Sequence, residues 1–149
     1  MSLFDDVASG MSGLEQLRAL IASGRRPGIA ESLDFDLVEV EEGRAVFAGT
    51  PGPHAFNPMG GVHGGYAAAL LDSACGCAIH SKLSPTQGFT TLELKVAYHR
   101  GMTDRTGRVL AEARVVSLGR RAGFAEATLK DEAGRLYASA TSTLLILDR

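Results

Sequence analysis

The chain is 149 residues long and carries 15 basic and 17 acidic side chains, a net charge of −2, with 45% hydrophobic residues. That length fits one domain with a sizeable core, and the near-balanced charge leaves no electrostatic footprint for nucleic acid. No charge-free apolar run of about 18 residues occurs, and the opening MSLFDDVASG lacks the basic and apolar regions of a signal peptide; a soluble cytoplasmic protein without membrane association is expected.

Residues 1–11 carry no persistent periodicity and are expected to lie loosely on the surface. Ser12 and Glu15 have capping-box spacing, and Leu14, Leu17, Leu20 and Ile21 recur at helical intervals up to Gly24, which predicts a short amphipathic helix. The basic GRRPG at 24–28 reads as a solvated turn that ends it. Residues 1–29 are expected to form an N-terminal extension and residues 30–149 a single domain. From Ser32 to Thr50 the pattern is that of a β-hairpin turning at Glu42-Gly43. The following TPGPHAFNPMGG, with three prolines and three glycines, excludes regular structure and reads as a functional loop.

Glycines 60, 61, 64 and 65 then surround His63, and Tyr66 to Ile79 offers small and apolar side chains with Asp72 as the only charge. The run from Gly64 is long enough for a helix of about four turns. A helix apolar all round is a buried helix. A carboxylate inside it costs several kcal/mol to desolvate unless it is paired or opens on a wet cleft, so Asp72 is the partner of an Arg or Lys from another element, a group at a helix edge facing water, or a functional group. Glycines at the helix entrance let a substrate approach the backbone. The first N–H groups there lack intrahelical acceptors and sit at the positive end of the macrodipole, so the entrance can polarise a carbonyl. The bland alternative for His63 is a hydrogen bond to a loop carbonyl. Cys75 and Cys77, two apart on a helix, face different ways and read as small buried hydrophobes. His54, His80 and His99 read as surface or loop residues, and no ligand set with metal-binding spacing accompanies them, so no metal is expected.

After a polar turn at 82–88 come four β segments, Phe89–His99, Gly107–Leu118, Ala122–Asp131 and Leu136–Leu147. In the first, Thr91, Glu93 and Lys95 alternate with Leu92, Leu94 and Val96. The order of helix, hairpin, loop, buried helix and four-strand meander predicts an α+β fold in which one antiparallel sheet wraps a single helix.

Asn57, Gly60, His63-Gly64-Gly65, Asp72, the strand Thr90-Thr91-Leu92-Glu93-Leu94 and Gly119-Arg120-Arg121 carry a more specific signal. Over about residues 30–147 the chain resembles the hotdog fold, a long central helix wrapped by a curved antiparallel β-sheet, and within it the PaaI-type acyl-CoA thioesterases. The resemblance implies that Asp72 activates water or attacks the thioester, and that the Gly64 N–H holds the thioester oxygen. It implies that Asn57 and His63 orient groups around the thioester, and that Thr91 or its neighbour Thr90 holds the water. Gly65 and Gly119 fall in the same substrate-binding segments. Arg120 and Arg121, ordinarily solvated charge, become candidates for the phosphates of coenzyme A, which need cations of fork geometry. The only coenzyme implied is the one within the substrate. The resemblance also implies a homodimer joined sheet edge to sheet edge, commonly doubled to a homotetramer as a dimer of dimers, with each site completed across the dimer interface. The rival is a non-catalytic hotdog module binding acyl-CoA or a small aromatic acid. Asp72 discriminates the two, since a pure binder has no need of an unpaired carboxylate beside a thioester.

Overall fold

The structure, a computed structural model, describes residues 10–148; the loose segment expected at the N-terminus lies, for residues 1–9, outside them. Helix α1, Gly13–Ser23, starts on the expected capping box: the Ser12 N–H donates to Glu15 Oε2 at 2.8 Å and Ser12 Oγ accepts from the Glu15 N–H at 3.4 Å. The next segment departs from the expected turn. Pro27 caps a second helix, α2, Gly28–Leu33, which ends on Asp34 in the left-handed region at φ 54, so the first strand begins at Phe35 rather than Ser32. Six residues are too few to show a helical period. Arg26 is not a solvated charge either: its Nε and Nη2 grip Asp36 at 2.5 and 2.7 Å and its Nη1 reaches Asp34 at 2.8 Å.

The strands are β1 (Phe35–Glu41), β2 (Arg44–Gly49), β3 (Gln87–Tyr98), β4 (Val109–Leu118), β5 (Ala122–Asp131) and β6 (Leu136–Asp148). They form one antiparallel sheet in the order β1-β2-β4-β5-β6-β3. The expected four-strand meander is therefore only three strands long. β3 pairs with β6, and the connection over 99–108 carries the chain across to β4, which docks on β2 and joins the early hairpin to the rest. That crossing makes a single sheet wide enough to wrap α3, Gly64–His80, which is the hotdog arrangement expected.

Leu70, Leu71, Ala74, Cys75, Ala78 and Ile79 of α3 are fully buried in the core, each leucine contributing ~1.5–3 kcal/mol by leaving water. The helix is not buried all round, however. Gly65, Ala68, Ala69, Asp72 and Ser73 form a strip of small residues that keeps some exposure. Among the described residues no helix is long and apolar enough to cross a membrane.

Extra residues at Val38, Leu92 and Val116 break the ladders of β1, β3 and β4, and such bulges bend strands. The one at Leu92 corrects the simple alternation read for β3. Thr91 pairs with Leu144 and Glu93 with Thr143, so beyond Leu92 the helix-facing positions become Leu94, Val96 and Tyr98, and Thr91 shares their side rather than that of Glu93 and Lys95.

Candidate active site

The proline- and glycine-rich loop is more ordered than its composition predicts. It holds a 3-10 turn at Pro53–Ala55 and an antiparallel bridge between Phe56 and Val62. Between the bridge residues Asn57 builds the turn: its Oδ1 accepts from the Met59 N–H at 2.9 Å and the Gly61 N–H at 3.2 Å. The Gly60 N–H donates to the Asn57 carbonyl at 3.0 Å, and Gly60 stands at φ 81, where a side chain would be strained. Asn57 thus spends its oxygen on the loop and keeps its NH2 group to donate. Two backbone bonds tie the loop to the body, from the His63 N–H to the Ala55 carbonyl at 2.7 Å and from the Val62 N–H to the Met102 carbonyl at 3.2 Å.

His63 is the N-cap of α3, and its Nδ1 accepts from the Gly65 N–H at 2.8 Å. The loop-carbonyl reading of this histidine is thereby replaced. An accepting Nδ1 puts the proton of the neutral ring on Nε2. It also separates the two entrance glycines: the Gly65 N–H is consumed by His63, whereas the Gly64 N–H has no acceptor among the described residues. A cavity of about 220 Å³ opens here, lined by Val62, His63, Gly64, Ala67, Tyr98 and Met102 among others. Larger cavities, of about 620 Å³ under α1 and α2 and about 440 Å³ on the outer face of the sheet, contain none of the predicted site residues.

Asp72 lies two helical turns further on, half-buried on the open strip. Its Oδ1 accepts a hydrogen bond from Thr91 Oγ1 at 3.0 Å. Among the described residues no Lys, Arg or His of the same chain lies within ion-pair distance of it. Thr90 is exposed and, by strand alternation, faces away from the helix. Cys75 is buried one turn beyond Asp72; burial, and then the Asp72 charge, push its thiol up to about 12. Burial pushes the Cys77 thiol up to about 12 as well. Both stay protonated at neutral pH, when a nucleophile would need the thiolate.

The structure does not bring every predicted residue to one point. Gly64 and Asp72 are eight residues apart on one rigid helix, ~12 Å at 1.5 Å per residue. Gly119, Arg120 and Arg121 form the exposed turn between β4 and β5. Ala122, next in sequence, pairs with Leu145, which pairs with Thr90, so the turn sits about two strand spacings, ~10 Å, from β3. Among the described residues neither guanidinium has a hydrogen-bond or ion-pair partner.

The remaining histidines have other work. His54 Nε2 lies 3.0 Å from the Leu33 carbonyl, and His99 Nε2 lies 2.8 Å from Ser139 Oγ. His80, expected near the surface, is buried instead, with Nε2 2.9 Å from Gln16 Oε1, because α1 packs over the end of α3. Among the described residues no three His, Cys, Asp or Glu side chains converge as metal ligands do.

Two residues at this site escaped the sequence reading. Tyr98 donates its hydroxyl to the Gly64 carbonyl at 2.7 Å, and Arg100 lines the same cavity. The alternation of Leu94 and Val96, carried two residues further, puts Tyr98 on the helix-facing side and could have found it.

Residues 59–138 match the family model of the thioesterase superfamily. The chain is 25% identical over 119 residues, 80% of its length and 95% of the relative's, to a 1,4-dihydroxy-2-naphthoyl-CoA hydrolase of Listeria monocytogenes. Among solved structures it is similar to a conserved protein of Pseudomonas aeruginosa, with 30% identity, a TM-score of 0.76, and 82% and 95% of the two chains covered. It is also similar to a point variant of the phenylacetic acid degradation protein PaaI of Thermus thermophilus, with 29% identity, a TM-score of 0.72, and 80% and 98% covered. With a helix-wrapping antiparallel sheet, a glycine-flanked helix entrance and a family match over more than half its length, the chain belongs to the thioesterase superfamily and is a thioester hydrolase.

Proposed function

We propose that this thioester hydrolase acts on acyl- or aryl-CoA, with Asp72 as the general base or nucleophile and the Gly64 N–H as donor to the thioester oxygen. The observation that carries the reading is the state of Asp72: a half-buried carboxylate on a mainly apolar helix, hydrogen-bonded by the Thr91 hydroxyl and with no cation in ion-pair distance among the described residues. Such a group can take a proton from water or attack a carbonyl carbon. In either case charge develops on the thioester oxygen, and a fixed N–H at the positive end of α3 stabilises it. Asn57 and His63 shape and cap that entrance, Thr91 orients the Asp72 oxygen and the attacking water, and Arg120 and Arg121 engage the phosphates of coenzyme A. The small strip along Gly65, Ala68 and Ser73 lets the thioester approach the helix. The similarity to a 1,4-dihydroxy-2-naphthoyl-CoA hydrolase supports a coenzyme A thioester as substrate.

Gly64 and Asp72 of one chain are too far apart to serve one thioester, so a second copy completes each site. β3 is an outermost strand, and Thr91 beside Asp72 and Tyr98 beside Gly64 both lie on it. Two copies of β3 paired antiparallel about a two-fold axis near Leu94 and Lys95 place Thr91 of one chain opposite Tyr98 of the other. Asp72 of one copy then faces Gly64 of its partner, and the unpaired edge is covered.

A screen of short, long and aromatic acyl-CoAs with detection of free thiol tests the activity. Mixing inactive Asp72→Asn with inactive Gly64→Pro chains tests the shared site. Hybrid dimers regain one intact site if the groups come from different chains. No recovery after verified subunit exchange would return the site to a single chain.

A further inference from the structure

The Gly64 N–H can act on an oxyanion only if it is held within about 0.5 Å of its working position, and Gly64 is a residue with little intrinsic stiffness between two loop glycines and a third glycine. Both peptide planes around it are nevertheless pinned. On the upstream side the Tyr66 N–H donates to the His63 carbonyl at 3.0 Å. On the downstream side the Tyr98 hydroxyl donates to the Gly64 carbonyl at 2.7 Å. The Tyr98 ring also stands over the residue: a Cβ on Gly64 would lie 3.1 Å from the ring Cζ and hydroxyl oxygen.

The carbonyl that Tyr98 holds belongs to the same peptide group as the Gly65 N–H, which donates to His63 Nδ1 at 2.8 Å. A donor on the oxygen of an amide strengthens the amide's own N–H as a donor, since hydrogen bonds in series polarise one another. A continuous chain therefore runs from the Tyr98 O–H through the Gly64–Gly65 peptide to His63 Nδ1. It leaves the proton of the neutral imidazole on Nε2 of a histidine that lines one cavity together with Gly64 and Tyr98. Over half of the Tyr98 surface is exposed in the single chain, at the β3 edge proposed to meet a second copy, so packing within its own core does not account for it.

We infer that Tyr98 is a positioning residue of the hydrolase, acting through the Gly64–Gly65 peptide to fix the Gly64 N–H and the His63 tautomer. The inference rests on the proposed role of the Gly64 N–H at the thioester. Tyr98→Phe tests it, because the ring stays over Gly64 and only the donor is lost. Wild type and Tyr98→Phe are compared by steady-state hydrolysis, by melting temperature and by long-range 1H–15N spectra of the His63 ring. The variant is expected to lose about 3- to 10-fold in kcat. KM and melting temperature stay near the wild-type values. The His63 ring shifts from a single Nε2–H form toward a mixture of tautomers.

A kcat within about twofold of wild type overturns the positioning role, and an unchanged His63 spectrum overturns the route through the peptide. A wild-type protein that cleaves no acyl-CoA defeats the substrate assignment instead. The ring spectrum then decides the hydrogen-bond chain by itself, a shift supporting it and no shift overturning it.

Discussion

Thr91 Oγ1 donates to Asp72 Oδ1 across 3.0 Å, linking the first helix-facing hydroxyl of β3 to the only charge within α3. The bond leaves Oδ2 of the carboxylate for water or substrate and fixes the plane in which that oxygen points. Thr91→Val keeps the shape and deletes the donor. It is expected to cost about 10- to 100-fold in kcat, while Thr91→Ser restores most of the loss. Thr90→Val, on the opposite side of the strand, should change kcat by less than about twofold. A Thr90 variant weaker than the Thr91 variant would reverse the assignment between them.

The Thr91–Asp72 pair also marks where the sequence was legible. The helix, its entrance and the lone carboxylate could be read because composition changes sharply there: four glycines, then small and apolar residues, then one acid. The capping box at Ser12 was legible for a similar reason, being a local arrangement within one turn. What failed depended on long-range pairing. The place of β3 beside β6 is set by strand order, which hydrophobic alternation does not encode. The Leu92 bulge is set by what lies across the ladder, and it moved Thr91 to the apolar side. Helix α2 was lost because a proline followed by six residues leaves too short a record.

Arg120 and Arg121 are exposed and unpartnered among the described residues, so their role lies in binding if it lies anywhere. Replacing both with alanine should raise KM for acyl-CoA by about tenfold or more with kcat nearly unchanged, the pattern of lost uniform binding. The effect should shrink with a substrate truncated to acyl-pantetheine, which lacks the nucleotide. Equal KM values for variant and wild type would mean that the pair is solvated charge.

All the groups in the proposed reaction come from the chain and from water. Hydrolysis is therefore expected to run at full rate after exhaustive treatment with chelator. Activity that disappears in chelator and returns with one added divalent cation would require a metal in the mechanism.

Part of the acid sensitivity should lie away from the site, at the β5–β6 turn. There Asp131 is buried and accepts from the Arg135 N–H at 2.9 Å, Arg135 Nε at 2.7 Å, the Ala133 N–H at 3.0 Å and the Tyr137 hydroxyl at 3.2 Å. The Arg135 backbone N–H first, and then its guanidinium and Tyr137, hold the carboxyl below the ordinary range. A depressed folded-state value means that the stabilisation is present above the unfolded value of about 3.9 and is lost as pH falls through the folded one. Asp131→Asn should lower the melting temperature at pH 7 and flatten its decline below about pH 4. Parallel wild-type and variant curves would show that other carboxylates set the acid limit.

The most direct test of the account is Asp72→Asn, with kcat and melting temperature measured on the same preparation. The amide keeps the volume and the oxygen that Thr91 holds, but it can neither take a proton from water nor attack a carbonyl. Turnover should vanish while the protein still binds acyl-CoA and melts within a few degrees of wild type. A structural ion pair broken at this position would instead cost roughly 3–5 kcal/mol of stability. A variant that melts far lower yet keeps near-normal kcat in its folded fraction would remove Asp72 from the mechanism and contradict the account at its centre.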